Sequence, residues 1–191
     1  MSVEEYRAID LALFSVMLIV SVTVIITAAT RWFPGEPYTV SVTAAITAIV
    51  MMRWGAWAAI HAALGGFVLC FVSGGTVLQY MIYCAGNLLS LGALLFIRLF
   101  GSENIRRDSF KSLVFALLVL LLMQLGRAGT AVLFGTSIAD AAGFVMTDTL
   151  SALFTLVIVW IVRRLDGVFE NQKHYLLRVQ KELREERKGG F

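Results

Sequence analysis

Charge is what this sequence has least of. Asp, Glu, Lys and Arg make up 15% of its 191 residues, where a soluble domain carries about 25%. Hydrophobic residues make up 59%. That balance excludes an ordinary water-soluble fold and reads as an integral membrane protein. Its apolar segments are too many and too long for a signal peptide, so none is expected to be removed. Proline is also scarce: both residues, Pro34 and Pro37, fall in one loop. The two cysteines, Cys70 and Cys84, lie within predicted spans and read as small packing residues, not as a disulfide or a redox pair. Of the two histidines, His61 reads as a helix–helix hydrogen bonder and His174 as a surface residue.

These shortages exclude several chemistries. No His/Cys/Asp cluster has metal-ligand spacing, so no metal and no cofactor is expected. Neither an HExxH pattern nor a Ser/His/Asp set at matched depth is present, so an intramembrane enzyme is not expected. There is no Gly-x-x-x-x-Gly-Lys-Ser/Thr run, so any ATP-driven step would need partner subunits. The net charge of +3 does not indicate nucleic acid, because the basic residues gather at span ends and in the tail.

A helix of about 20 residues crosses a bilayer. Six such stretches are predicted: Ala8–Thr30, Tyr38–Met52, Trp54–Val72, Val77–Ile97, Ser112–Phe134 and Ala141–Val162. The second is short, and a tilted or re-entrant course stays open for it. Of the 16 basic residues, all but Arg31 and Arg127 fall on one side of this arrangement. The positive-inside rule then places both termini in the cytoplasm of a multi-pass protein. The fold class expected is an all-α, six-span membrane protein, residues 1–164, with a cytoplasmic tail helix, residues 165–191. In the tail, Leu165, Phe169, Gln172, Leu176, Val179 and Leu183 recur at spacings of four and three, and charges fill the rest. That pattern predicts one amphipathic helix, lying on the inner membrane surface or docking a cytoplasmic partner; a disordered tail is the third reading.

The stretch from Arg53 to Ser90 organises the remainder. Its first half is rich in Ala and Gly, which let helices approach closely in lipid. After Ser73-Gly74-Gly75, Gln79, Tyr83 and Asn87 recur every four residues and so share a helix face. A polar stripe on an apolar helix is costly against lipid and should face a partner or a cavity. Arg127 and Asp148 each lie about 12 Å inside their spans, counted at about 1.5 Å per residue. Two readings stand for them: a structural ion pair between helices, or a clamp on a solute. Tyr80 and Tyr83 are suited to stacking on a flat ring, with Gln79 and Asn87 reading its edge, or else to serving as interfacial tyrosines beside interhelical hydrogen bonds. Taken together, Trp32, Glu36, Gln79, Tyr80, Tyr83, Asn87, Arg127 and Asp148 form the candidate binding set, in the outer half of the bundle.

Three features resemble one family. Ala8-Ile9-Asp10-Leu11-Ala12 is an AxxxA pattern near the start of the first span. Arg53-Trp54-Gly55-Ala56 leads into an Ala/Gly-rich span closed by Ser73-Gly74-Gly75. A proline-bearing loop follows span one. With the span count, these resemble the substrate-binding S components of energy-coupling factor (ECF) transporters, small six-helix bacterial proteins that bind vitamins or other micronutrients. The resemblance implies a solute bound from outside, and a transmembrane coupling subunit, resting on two ATPase subunits, packed against Ala8 and Ala12. The long tail departs from that family. It leaves a second function open: a non-transporting membrane sensor or anchor whose tail binds a cytoplasmic protein.

Overall fold

The computed structural model describes residues 2–33, 40–146 and 148–189. These form helices and turns, with no strand among them. The first helix, α1 (Val3–Trp32), opens on a reciprocal cap. The Glu5 N–H donates to Ser2 Oγ (3.2 Å) and the Ser2 N–H to Glu5 Oε2 (2.9 Å), satisfying two donors that a helix start leaves free. There follow α2 (Thr43–Trp54), a 3₁₀ turn at Gly55–Trp57, α3 (Ala58–Ser73), α4 (Val77–Asn87), a 3₁₀ stretch at Leu88–Ala93, and α5 (Leu94–Phe100). The short α6 (Ser102–Arg107) precedes the long α7 (Ser109–Leu133). Then come α8 (Ile138–Met146), α9 (Thr149–Val162) and α10 (Gln172–Gly189).

Five helical stretches among the described residues are long and apolar enough to cross a membrane: Val3–Trp32, Thr43–Ser73, Val77–Phe100, Ser109–Leu133 and Ile138–Val162. The second is not straight. Gly55 has φ +63°, a backbone conformation that side-chain-bearing residues avoid, and there the chain folds back. The return brings Thr43, at the start of α2, against Gly65 in the middle of α3. All twelve residues of α2 are buried, enclosed by α1, α3, α7 and α9. At about 18 Å this helix is shorter than the roughly 30 Å hydrocarbon layer, and it is the segment that the sequence marked as a short second span. It also runs two residues further than expected. Arg53 and Trp54 belong to its last turn and are not the loop that follows it.

The chain's two ends meet. Tyr6 Oη donates to Gln172 Oε1 at 3.4 Å, and this end is called the floor below. The floor is closed by a charged knot. Arg53 holds Asp10 with both arms, Nε to Oδ2 at 2.8 Å and Nη2 to Oδ1 at 2.7 Å. Trp54 Nε1 donates to the same carboxylate at 2.6 Å. Arg53 Nη1 donates to the carbonyls of Gly167 and Val168 at 2.7 and 2.9 Å. Residues 163–171 are turns, so the helix expected from Leu165 begins only at Gln172. Phe169, read from sequence as part of the tail seam, is buried against Phe115 of α7, ring centres 6.4 Å apart.

Between helices the packing is backbone to backbone. A Cβ at Gly86 of α4 would stand 2.6 Å from the Arg127 nitrogen, and one at Gly126 of α7 would strike the Gly86 carbonyl. On the other face of α4, a Cβ at Gly66 of α3 would lie 2.7 Å from the Tyr83 carbonyl carbon. Small residues of this kind are how helices associate where lipid is as apolar as their own side chains. Gly129, one turn further along α7, has open space where a Cβ would be. Gly126→Ala should therefore cost about 1–3 kcal/mol through overpacking and lower the melting temperature in detergent, whereas Gly129→Ala should leave it unchanged. Equal effects at the two positions would show that α4 and α7 do not touch in this way.

Candidate functional site

Inside the bundle a continuous chain of polar side chains crosses α4, α7 and α9 and ends on a backbone carbonyl of α3. At its centre stands Arg127, 4% exposed. Its Nε donates to Asn87 Oδ1 at 2.7 Å, and Asn87 Nδ2 donates to the Ala62 carbonyl at 2.8 Å. Arg127 Nη1 donates to Asp148 Oδ2 at 3.2 Å. Ser151 Oγ donates to the other carboxylate oxygen, Oδ1. The chain runs on from there: the Ser41 N–H donates to Ser151 Oγ at 2.8 Å, and Ser41 Oγ donates to Thr43 Oγ1 at 2.8 Å.

Local structure explains why each group stands where it does. Asp148 is the residue just before α9, so its carboxylate sits at the positive end of a helix dipole, which favours an anion. Asn87 closes α4, and its amide reads two neighbours at once because an amide both donates and accepts. Arg127 is brought close to Asn87 by the glycine contact one residue earlier. Tyr83, one turn before Asn87, lies with its ring 5.0 Å from the guanidinium carbon, a cation–π distance. Its ring also meets Phe144 of α8 edge-on, centres 5.8 Å apart.

Arg127 has five N–H donors. Its Nη2 group makes no hydrogen bond to a described residue, while Nε and Nη1 are engaged. A guanidinium buried to this degree with one arm unspent is the strongest chemical feature in the bundle. It offers a cationic, two-donor edge to a carboxylate or carbonyl.

The sequence-predicted residues divide on this geometry. Tyr83, Asn87, Arg127 and Asp148 are brought together. Gln79 is not among them. It is exposed, and its Oε1 accepts from the Thr76 N–H at 2.7 Å in a capping box that starts α4, so the buried stripe ends at Tyr83. Tyr80 is half-buried and packs on Phe67 of α3, ring centres 5.4 Å apart. Trp32 closes α1 with 72% of its surface exposed. Glu36 lies outside the described residues. Ala8 and Ala12 are exposed on α1, with Asp10 buried between them. The serines and threonine that extend the chain, Ser41, Thr43 and Ser151, were not singled out from sequence. Neither was Asp10, although a carboxylate two residues into an apolar run is a recognisable signal. His61 completes a second buried polar group, with Nε2 3.2 Å from the Leu11 carbonyl and 3.3 Å from Ser15 Oγ.

Beside the polar chain, a cleft of about 470 Å³ opens between α7 and the α8–α9 arm. It is lined by Val114, Leu117, Leu121, Gln124, Val145 and Asp148, among others. Along α7 it extends from Gln124 toward the floor, whereas the sequence placed a pocket in the outer half of the bundle, at the level of Arg127 and Asp148 and between them and the α4 stripe. Comparison with family models, curated proteins and solved structures returned no match.

The pairing of Arg127 with Asp148 is open to direct test. Arg127→Met leaves a buried carboxylate with its cation gone and should cost about 3–5 kcal/mol. The double variant Arg127→Met/Asp148→Asn should recover part of that loss, read as unfolding midpoints in detergent. A double variant no more stable than the worse single variant would show that the two charges do not support each other.

Proposed function

We propose that this chain is a solute-binding membrane subunit of the ECF S-component type. In this reading it sits in a bacterial plasma membrane with both termini cytoplasmic and crosses the bilayer six times, the buried α2 serving as the short second crossing. It captures a small, ring-containing, vitamin-like solute from outside. Arg127 grips a carboxylate or carbonyl of the solute with its unspent Nη2 arm. Tyr83 supplies a flat face, and Asn87 and Asp148 hold the guanidinium in place. The observation that carries the reading is that unspent arm. Burying a cation is costly, and an arginine with a free donor edge in a bundle of few charges is better accounted for by an incoming acceptor than by structure alone. Support for a separate energy source is of another kind. Ala8 and Ala12 form an exposed small-residue strip on α1, the surface that the resemblance assigns to a coupling subunit with its ATPase subunits.

One observation favours the second reading, a sensor or anchor. The segment leading into α10 is held by Arg53 through the Gly167 and Val168 carbonyls, so the tail helix is tied to the membrane bundle. In that reading α10 presents its charged face to a cytoplasmic partner.

Native mass spectrometry of the full chain, purified gently from its host membrane, tests both. The solute-binding reading expects a retained small molecule, lost in Tyr83→Leu with the fold intact, together with coupling and ATPase subunits that dissociate in Ala8→Leu/Ala12→Leu. A soluble protein bound without any small molecule, and released by deleting residues 173–191, would overturn it in favour of the anchor.

A further inference from the structure

The cleft beside α7 carries an inference independent of the solute reading. We propose that it is a lateral groove for a neutral long-chain alcohol dissolved in the bilayer, whose hydroxyl hydrogen-bonds Gln124 while its hydrocarbon body lies along α7 toward the floor. The volume of about 470 Å³ is within the usual range of small-molecule sites. Its walls are aliphatic, and two of them, Leu117 and Leu121, are exposed, so the groove opens sideways toward lipid.

Gln124 decides what fits. It is 6% exposed and lines the groove. Its amide makes no hydrogen bond to a described residue, and it is not among the polar atoms sealed off without a partner. The amide therefore faces the groove. An amide left unpaired at such a place costs about 1–3 kcal/mol. Lipid chains cannot relieve that cost, because they have no donor or acceptor. Phospholipid headgroups cannot reach it. Gln124 is nine residues from the Leu133 end of α7 and fifteen from the Ser109 end, about 14 and 22 Å at the helical rise, so it lies near the middle of the hydrocarbon layer.

The missing partner must then be a polar group that travels to that depth on an apolar body. Asp148 also lines the groove, with its two oxygens held by Arg127 and Ser151, while Gln124 offers both donor and acceptor. A hydroxyl, which donates and accepts, suits Gln124. An anionic head, as on a fatty acid, would meet the Asp148 carboxylate.

The test uses the full chain in phosphatidylcholine nanodiscs and two photoprobes: hexadecanol with a diazirine on its chain, and the matching hydrocarbon without the hydroxyl. Labelled positions are mapped by mass spectrometry. The alcohol should label Leu117, Leu121 and Val145 about five to tenfold more than the hydrocarbon does, the value of one hydrogen bond. Gln124→Leu should reduce the alcohol to the hydrocarbon's level. Leu121→Trp, a lipid-facing change that fills the groove, should abolish groove labelling by both probes with an unchanged melting temperature. Even labelling around the bundle, no preference for the alcohol in the unaltered chain, or a preference that survives Gln124→Leu would each overturn the proposal. None of these outcomes bears on solute capture at Arg127.

Discussion

A guanidinium cannot be held at the depth of Arg127 unless protein supplies what water would have supplied. Insertion scales put the cost of such a charge at about 2.5–3.5 kcal/mol, a large share of a marginal stability. The bundle meets that constraint with groups from four directions: a carboxylate at the start of α9, an amide at the end of α4, an aromatic face one turn earlier, and a serine–threonine relay reaching back to α2. Each group is useful only if its helix arrives at the right level. Much of the helix arrangement therefore serves one side chain. The knot of Asp10, Arg53 and Trp54 applies the same logic at the floor, with a stricter geometry. There the arginine is bidentate and its remaining arm is spent on two backbone carbonyls.

The contrast between these two arginines bears on function. Arg53 is engaged on every nitrogen, so it reads as a fastener that ties α1, α2 and the segment before α10 together. Among the described residues, Arg127 is engaged on two nitrogens of three. Structural ion pairs tend toward the first condition because an unspent buried donor is costly. A site that receives something tends toward the second.

The sequence made the apolar helices legible, because runs of some 20 uncharged residues have few other uses. It also exposed Arg127, Asp148, Asn87 and Tyr83, which stand out against such a background. Three things were hidden for physical reasons. Gln79 shares a helix face with Asn87, but the first turn of a helix has unpaired N–H groups, and local capping claimed its side chain. The shortness of α2 could be read, but its full burial could not, because a largely apolar segment looks the same whether it faces lipid or protein. The relay through Ser41, Thr43 and Ser151 depends on contacts across 110 positions of chain, and small hydroxyl residues give no local sign of such a task. The tail seam misled for a related reason. Phe169 keeps the spacing of a helix face, yet burial against Phe115 holds it in a turn.

The glycine contacts have a consequence for how this molecule can move. Gly66 against Tyr83, and Gly86 against Gly126, bring three main chains together with no side chain between them to slide or re-rotamerise. Helices α3, α4 and α7 are thereby locked as a single rigid body, carrying Tyr83, Asn87 and Arg127 with fixed mutual distances. The α8–α9 arm is joined to that body along α7 and through the contacts of Asp148 with Arg127 and of Phe144 with Tyr83. Separating the polar layer would therefore require the α8–α9 arm to give up the Arg127–Asp148 ion pair, the Tyr83–Phe144 contact and the Ser41–Ser151 hydrogen bond.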